Sequence, residues 1–551
     1  MKKTYLQIHP KDNVLVALQD LEKGHEIEFQ GDRFELKERV TAKHKFTTQA
    51  MVKDQEVLMY GLLVGKVNYD LEKGVRLTTD NLRHAAEPYS LGERKVEWEK
   101  PDVSAFSNRT FLGFHRDNGK IGTANYWLVI PMVFCENRNV LTLKASMLDK
   151  LGYANNTKNY TQEVDTLIKA YQEGKGIEEI TQLDLSPSNL SAPKERIFEN
   201  VDGVKFLTHE MGCGGTRMDA DALCGLLAGY IVHPNVAGAT ILSLGCQNAQ
   251  VETLKEEIAK RDANFTKPLY VFEQQQLGKE RNLIHEALKH TFAGLTIANK
   301  QTREPAPLKE LCVGLECGGS DGFSGISANP VLGYLSDMVV TLGGSVILSE
   351  FPELCGVEQE MSDRCQTEEM ANKFMSLMTT YNAKAEEQGS GFYMNPSPGN
   401  IRDGLITDAI KSAGAAKKGG TSPVVQVADY PNLANKPGLN LLCTPGNDVE
   451  STTAEVGAGA NVVLFTTGLG TPTGNPIAPV IKVSSNTALY NRMPDIIDYN
   501  TGAIIEGDKT IQECAHELLD YVIAVASGEV KAKAVALGQD DFIPWKRGVS
   551  L

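Results

Sequence analysis

Apolar positions over the first 85 residues come in short bursts separated by polar turns: Tyr5-Leu-Gln-Ile, Val14-Leu-Val-Ala, Glu26-Ile-Glu-Phe, Arg33-Phe-Glu-Leu, Glu56-Val-Leu-Met-Tyr and Gly65-Lys-Val-Asn-Tyr. Runs of that length and punctuation predict a small all-β unit. The pattern then lapses, because Ala85 to Phe106 is rich in Glu, Lys, Pro and Ser, has no period and reads as a linker. From Thr123 onward apolar strand-like runs alternate with helical stretches, the signature of parallel α/β structure. A first such region offers strands at Asn125–Ile130, Val204–Thr208 and Ala239–Leu244, with helices near Gln162–Glu173, Asp219–Val232 and Val251–Arg261. A second offers strands at Leu311–Leu315, Ser345–Leu348, Pro423–Val427, Asn440–Cys443 and Val462–Phe465, and a long helix at Glu368–Glu387.

Composition narrows the function. The 551 residues are 42% hydrophobic and 23% charged, enough for a large core and several domains. A net charge of -15 without any Lys/Arg-rich run argues against a nucleic-acid partner. The longest apolar run, Tyr126 to Cys135, is too short to span a bilayer, and no apolar stretch follows the two lysines at the start, so a cytoplasmic protein with no membrane association is expected. Ten scattered cysteines read as reduced thiols rather than a disulfide framework, with Cys224, Cys312, Cys355, Cys365, Cys443 and Cys514 assigned to buried positions.

Open α/β sheets bind ligands at the carboxyl ends of their strands, and the unusual residues fall there. Val204–Thr208 runs into His209-Glu-Met-Gly-Cys213, Ala239–Leu244 into Gly245-Cys246, Leu311–Leu315 into Glu316-Cys317-Gly-Gly-Ser-Asp321, and Ser345–Leu348 into Ser349-Glu350-Phe-Pro-Glu353. Glycines there let backbone amides close on a ligand that Glu316 and Cys317 meet. Gly468-Leu-Gly470-Thr-Pro-Thr-Gly474 lacks the dinucleotide spacing, and neither a phosphate-binding GxxxxGK[ST] loop nor a CxxC pair occurs. No nucleotide cofactor is expected.

The segments Gly113–Asn125, His209–Gly214, His233-Pro-Asn235, Gly245-Cys246, Gly314–Pro330, Asn395–Asn400 and Phe465–Gly470 together resemble the altronate/galactarate sugar-acid dehydratases over nearly the whole chain. Asp12-Asn13-Val14, Lys43-His44-Lys45 and Tyr60-Gly61 are similar to the β-clip (SAF) domain of that family. The chain departs from the family pattern at Ala124, at Thr78–Asn81 and at Asp403–Thr407, positions that bear on the substrate more than on the chemistry. The resemblance implies a β-clip domain at 1–88, a linker at 89–106, an α/β domain with a role in dimerisation at 107–305, and a Rossmann-like variant parallel sheet carrying the metal site at 306–551. It also implies a homodimer and Fe(II), with Mn(II) as the alternative ion. The implied reaction converts altronate to 2-keto-3-deoxygluconate, with galactarate or another aldonate or aldarate as the alternative substrate.

The residues suit that chemistry. A C2 proton beside a carboxylate leaves at neutral pH only if the resulting anion is stabilised, which a divalent cation does. Glu316, Glu350 and Glu353 offer hard oxygen ligands and Cys317 a soft one, with Cys213 and Cys246 as alternatives. His209 and His233 are the expected proton carriers, joined by His44 and Lys45, which the linker lets swing over the cleft. Arg116, Lys45 and Lys482 are expected to clamp the substrate carboxylate, and Gly318, Gly319, Ser320, Asn329 and Asn400 to bind its hydroxyls. Two other readings stand beside this one: an iron–sulfur hydro-lyase with Cys213, Cys246 and Cys317 as cluster ligands, and a non-catalytic sugar-acid sensor.

Overall fold

A computed structural model describes residues 3–154, 160–186 and 194–551. The N-terminal bursts form antiparallel β structure: Tyr5–Leu6, Val14–Ala17 and Lys45–Thr47 make one sheet, Glu26–Phe29 and Asp32–Glu35 a hairpin, and Glu56–Met59, Leu62–Val67 and Leu82–Arg83 another sheet. The strand Val14–Ala17 is buried on both faces, Leu15 joining a local core with Leu21, Ile27, Leu36, Val40 and Phe46 while Val14 and Val16 face the main core. The strand Lys45–Thr47 has no apolar run to announce it, and pairing with Val14–Val16 creates it.

The two α/β regions carry parallel sheets. The first has four strands in the order Gly203–Phe206, Tyr126–Pro131, Val236–Ser243 and Leu269–Glu273. Helices at Arg217–Val232 and Val251–Arg261 match the apolar periodicity closely. A separate antiparallel ribbon pairs Thr110–His115 with Arg303–Pro307 and so brings the two ends of this region together. The second sheet has seven parallel strands ordered Val424–Asp429, Gly438–Cys443, Ser345–Leu348, Cys312–Cys317, Val462–Thr467, Val480–Ser484 and Tyr499–Asn500. The chain runs outward from Cys312–Cys317 on one side and then resumes at Val462–Thr467 on the other, so a topological switch point lies between these two strands. One continuous apolar core contains residues from all three regions, from Val14 to Trp545. No helix among the described residues is long and apolar enough to cross a membrane.

The segment read as a linker is irregular in structure but not free. Arg94 donates to the Ser362 carbonyl at 2.5 Å, the Lys95 amide to the Asp363 carbonyl at 2.6 Å, and the Lys95 ammonium to the Asp363 carboxylate at 2.7 Å. It straps the chain to the helix Glu358–Asp363. The β unit itself is docked on the second α/β region. Lys43 pairs with Asp321 at 3.0 Å and Asp403 at 2.8 Å, Lys45 donates to the Gly404 carbonyl at 2.6 Å, and Thr407 donates to the Val64 carbonyl at 3.0 Å. The expectation of a loose tether is therefore corrected: His44 and Lys45 are held on the Arg402–Gly404 segment and Lys43 on Asp321 of the Gly-rich loop, so the cover is closed in this structure.

His84, just past the last β strand, meets the buried carboxylate of Asp408 across the same seam. The hydrogen bond to Asp408 raises the His84 pKa above the ordinary 6.5, with burial opposing it. A raised histidine stabilises docking fully below its unfolded value and loses that contribution as pH rises through the folded one. Asp408→Asn should therefore lower the thermal midpoint most below pH 6.5, and the gap to wild type should close at higher pH. A pH-independent gap in scanning calorimetry would remove this pair from the seam.

Candidate active site

The sequence reading placed Glu316 and Cys317 in a loop. The structure makes them the last two residues of the strand Cys312–Cys317, in register with Phe465 and Thr466 of the neighbouring strand. The switch-point crevice opens immediately after them. Gly318 donates to the Thr466 carbonyl at 3.1 Å, and the Gly468 and Leu469 amides both donate to the Gly319 carbonyl, at 3.0 and 2.9 Å. A Cβ on Gly318 would lie 2.0 Å from the Asp448 carboxylate, so only glycine lets that acid approach the strand end.

Three strand ends feed one buried cluster. Glu350 and Glu353 follow Ser345–Leu348, and Glu350 adopts a left-handed backbone (φ 59°) that starts the short helix Phe351–Leu354. Non-glycine residues take this conformation uncommonly, and its cost is met here by the contacts that hold Glu350. The Glu350 amide donates to Thr444 at 2.8 Å, just past the strand Gly438–Cys443. The Cys317 thiol donates to Glu353 at 2.8 Å, and its amide donates to Glu350 at 3.1 Å. Cys317 Sγ and one oxygen of each of Glu350 and Glu353 lie within 4.8 Å of one another. Behind them Glu316 touches Glu350 carboxyl to carboxyl, and Ser349 donates to both Glu316 (3.3 Å) and Glu455 (2.7 Å).

Two lysines answer this charge, Lys418 on Glu350 at 2.5 Å and Lys411 on Glu353 at 2.7 Å. Four buried carboxylates against two ammonium groups leave two negative charges uncompensated when all are ionised. The protein resolves this by protonation: burial pushes Glu316 well above the carboxylate range, with the Glu350 and Glu455 charges adding to it. Burial likewise carries Glu455 up to about 8 and Asp448 to about 7, and raises the Cys317 thiol, whose neighbours Glu350 and Glu353 add to the shift. Burial also pushes Glu353 up, yet Lys411 and Lys418 outweigh it and leave that group below its ordinary value. One oxygen each of Glu316, Glu350 and Glu455 is buried without a hydrogen-bond partner. A divalent cation is the ligand this cluster fits, since it supplies two positive charges, partners for orphaned oxygens, and a use for one soft and two hard donors.

The seam with the β unit lies beside the crevice. Lys45 is fully buried, and desolvation brings its amine down to about 7. His44 donates through Nε2 to the Arg402 carbonyl at 3.1 Å and leaves Nδ1 buried without a partner. Lys43 and Asp321, absent from the sequence-based site, join the two units, and Asp321 also receives Ser324, Ser485 and Asn486.

Other expected residues are engaged elsewhere. Both nitrogens of His209 are committed to backbone, Nε2 to the Pro131 carbonyl at 2.8 Å and Nδ1 to the Met211 amide at 3.2 Å, and burial lowers its pKa to about 4. His233 is tied likewise to Ala460 and Asn235, and burial holds it near 3. The proton-carrier assignment is corrected for both, because neither ring has a free lone pair. His233 precedes the strand Val236–Ser243, at its amino end, where Asn235 and Thr123 bind the Asn461 and Ile477 backbone and join the two α/β regions. Arg116 spends four of its five N–H groups on the Pro234 and Ala124 carbonyls, Asn125 and Gln301, so it braces the first α/β region from within and cannot offer a substrate carboxylate a two-pronged grip. Lys482 donates to the Thr473 carbonyl over the Phe465 ring. Asn329 bridges Thr466 and Gly414, and Asn400 caps its own helix and donates to the Ser320 carbonyl at 2.7 Å. These side chains shape the crevice wall rather than offering free hydroxyl-binding groups. Cys213 and Cys246 are exposed on the other sheet, apart from buried Cys317, so a single cluster on Cys213, Cys246 and Cys317 is not what the fold assembles.

Comparison with known proteins agrees along the chain. Residues 3–85 match the altronate/galactarate dehydratase SAF domain, 113–299 the D-galactarate dehydratase/altronate hydrolase second domain, and 308–550 the D-galactarate/altronate dehydratase C-terminal family. The chain is 33% identical to an altronate dehydratase of Bacillus subtilis (strain 168), over 96% of both chains. It is 32% identical to the altronate dehydratase of Escherichia coli (strain K12) over 95% of both. Identity to the galactarate dehydratase (L-threo-forming) of E. coli K12 is 29%, over 96% of this chain and 93% of that one.

If the cluster takes a cation, Glu350→Gln should weaken Fe(II) binding by roughly 10- to 100-fold while the fold survives. Cys317→Ser should weaken Fe(II) more than Mg(II), because it removes the soft donor. Affinity should rise with pH, since binding displaces protons from Cys317 and the raised carboxyls. Anaerobic metal titrations of both variants decide, and wild-type affinities would place the metal elsewhere.

Proposed function

We propose, from the premise that this chain belongs to the altronate/galactarate dehydratase family, that it dehydrates D-altronate to 2-keto-3-deoxy-D-gluconate. Membership makes it a sugar-acid hydro-lyase. The higher identity to two altronate dehydratases than to the galactarate enzyme favours altronate. The observation that carries the chemistry is the buried Cys317–Glu350–Glu353 cluster with its charge deficit.

Cys317, Glu350 and Glu353 would hold Fe(II), with Mn(II) as the alternative, and the ion when bound would supply the Lewis acidity that makes the C2 proton removable. The chain's own groups move the protons. Lys45, drawn to about 7 by burial, is substantially neutral at physiological pH and takes the C2 proton. His44 Nδ1, kept neutral chiefly by burial, is a second acceptor beside it. As the C2–H electron pair forms the C2=C3 bond, the C3–O bond breaks, and Asp448, held at about 7, gives its proton to the departing hydroxide. The enol then takes a proton at C3 as its C2 hydroxyl gives one up, which makes the 2-keto acid, so one water leaves and nothing is oxidised. Because the cluster and Lys45 are almost wholly buried, substrate enters by parting the seam that Lys43, Asp321 and Asp403 close. Closure then excludes water from the reacting carbons.

A keto-acid assay over aldonates and aldarates with anaerobic Fe(II) tests the substrate: kcat/KM should be highest for altronate, and a higher value for galactarate overturns that assignment. Lys45→Met should lower kcat by roughly 10²-fold or more with the fold retained. Wild-type kcat/KM should fall as pH drops through about 7, where the Lys45 amine becomes charged. A profile flat through that range would remove Lys45 as base.

A further inference from the structure

Three of the ten cysteines, Cys135, Cys213 and Cys246, are exposed, and the cation cluster uses none of them. Free cysteine is ordinarily a buried residue, so three exposed thiols are unusual, and their placement is more so. Cys135 follows the strand Tyr126–Pro131, Cys213 follows Gly203–Phe206 and Cys246 follows Val236–Ser243. These three strands are neighbours in the parallel sheet, so the thiols sit at the carboxyl ends of adjacent strands.

Hydrogen bonds lace the three loops into one rim. The Phe134 amide donates to the Met211 carbonyl at 3.1 Å, and the Asn248 and Ala249 amides both donate to the Gly212 carbonyl, at 2.9 and 3.1 Å. His209 ties its loop to Pro131 through Nε2, and Asn137 donates to the His209 carbonyl at 2.9 Å. Gly212 and Gly214 flank Cys213 with φ of 98° and 60°. A Cβ on Gly212 would lie 2.2 Å from the Met132 carbonyl, so the close approach of the first two loops requires glycine. Left-handed residues interleaved in such a loop turn successive N–H groups inward, a concavity that suits anions and iron–sulfur clusters. Cys213, Asn137, Glu210, Asn248 and Lys546 line a cleft of about 520 Å³. Gln275 donates to Cys246 Sγ at 3.2 Å, the kind of contact that tunes cluster sulfurs.

We propose that this rim holds a four-iron, four-sulfide cluster on Cys135, Cys213 and Cys246, a site separate from the carboxylate cluster and independent of the dehydration reading. Three thiols without a fourth sulfur or imidazole fall short of a structural zinc site. On a cubane they leave one iron free of protein thiolate, open to an oxygen ligand from the cleft. Loading is thiolate exchange: three Fe–S bonds to a donor cluster's thiolates break, three to cysteine form, the cysteine protons pass to the departing thiolates, and no iron changes oxidation state.

The test incubates the full chain anaerobically with a preformed, thiolate-ligated four-iron cluster, desalts it, and measures iron, acid-labile sulfide and visible charge-transfer absorption. Wild type should retain about four sulfides per chain, and Glu350→Gln should retain the same. Cys213→Ser and the triple variant Cys135→Ser/Cys213→Ser/Cys246→Ser, checked for folding by circular dichroism, should lose at least tenfold of that sulfide. No labile sulfide on wild type, or wild-type sulfide on a folded triple variant, overturns the site. So does stoichiometric zinc binding that excludes the cluster.

Discussion

Four carboxylates and a thiol are buried together at the carboxyl edge of the seven-stranded sheet, with only two ammonium groups to balance them. Burying unpaired charge is among the most costly things a fold does, and much of the surrounding architecture answers that cost. Lys418 and Lys411 are carried in on the short helices after Asp408 to reach Glu350 and Glu353. Glu350 holds a left-handed backbone that sets it beside the Cys317 amide. Gly318 yields the space that Asp448 occupies. Ser349, Thr444 and Ser451 form a hydroxyl chain that satisfies part of what remains. The arrangement is poised, holding protons where a cation would bind, and that is a binding property rather than a stabilising one.

The other two regions gain meaning from this cluster. The β unit closes the crevice with a strand that exists only through pairing, and three consecutive residues dock it, Lys43 on Asp321 of the Gly-rich loop and His44 and Lys45 on the Arg402 and Gly404 carbonyls. The first α/β region joins from the opposite end of the sheets. Thr123 and Asn235 lock it to the backbone of Asn461 and Ile477, on either side of the strand Val462–Thr467, leaving the carboxyl ends of its own strands open. The result is one continuous core with a buried Cys317–Glu350–Glu353 grouping at one set of strand ends and exposed thiols at the other.

What the sequence reveals, and what it hides, follows from range. Apolar runs flanked by glycine marked Cys312–Cys317, Ser345–Leu348 and Val462–Thr467, because a buried parallel strand must be apolar on both faces. The helices near Val251–Arg261 and Glu368–Glu387 were legible from their periodicity. Glu316, Cys317, Glu350 and Glu353 stood out as polar groups ending such runs, and the fold does bring them together. Lys411 and Lys418 carried no signal, since nothing local tells which strand end a helix will cross. His233 and Arg116 misled because a motif beside a strand can lie at either end of it, and theirs lies at the amino end. Cys135 went unremarked because it closes the apolar run from Tyr126 to Cys135 and has no glycine beside it, whereas Cys213 and Cys246 each touch one.

The central claim is that the negative charge gathered around Cys317, Glu350 and Glu353 is a cation site. The most direct measurement is anomalous diffraction at the iron edge from crystals grown anaerobically with Fe(II). The account predicts an iron peak bonded to Cys317 Sγ and to the carboxylates of Glu350 and Glu353, with Lys418 displaced from its direct contact. Iron-loaded, active protein that shows no peak at that position would contradict it.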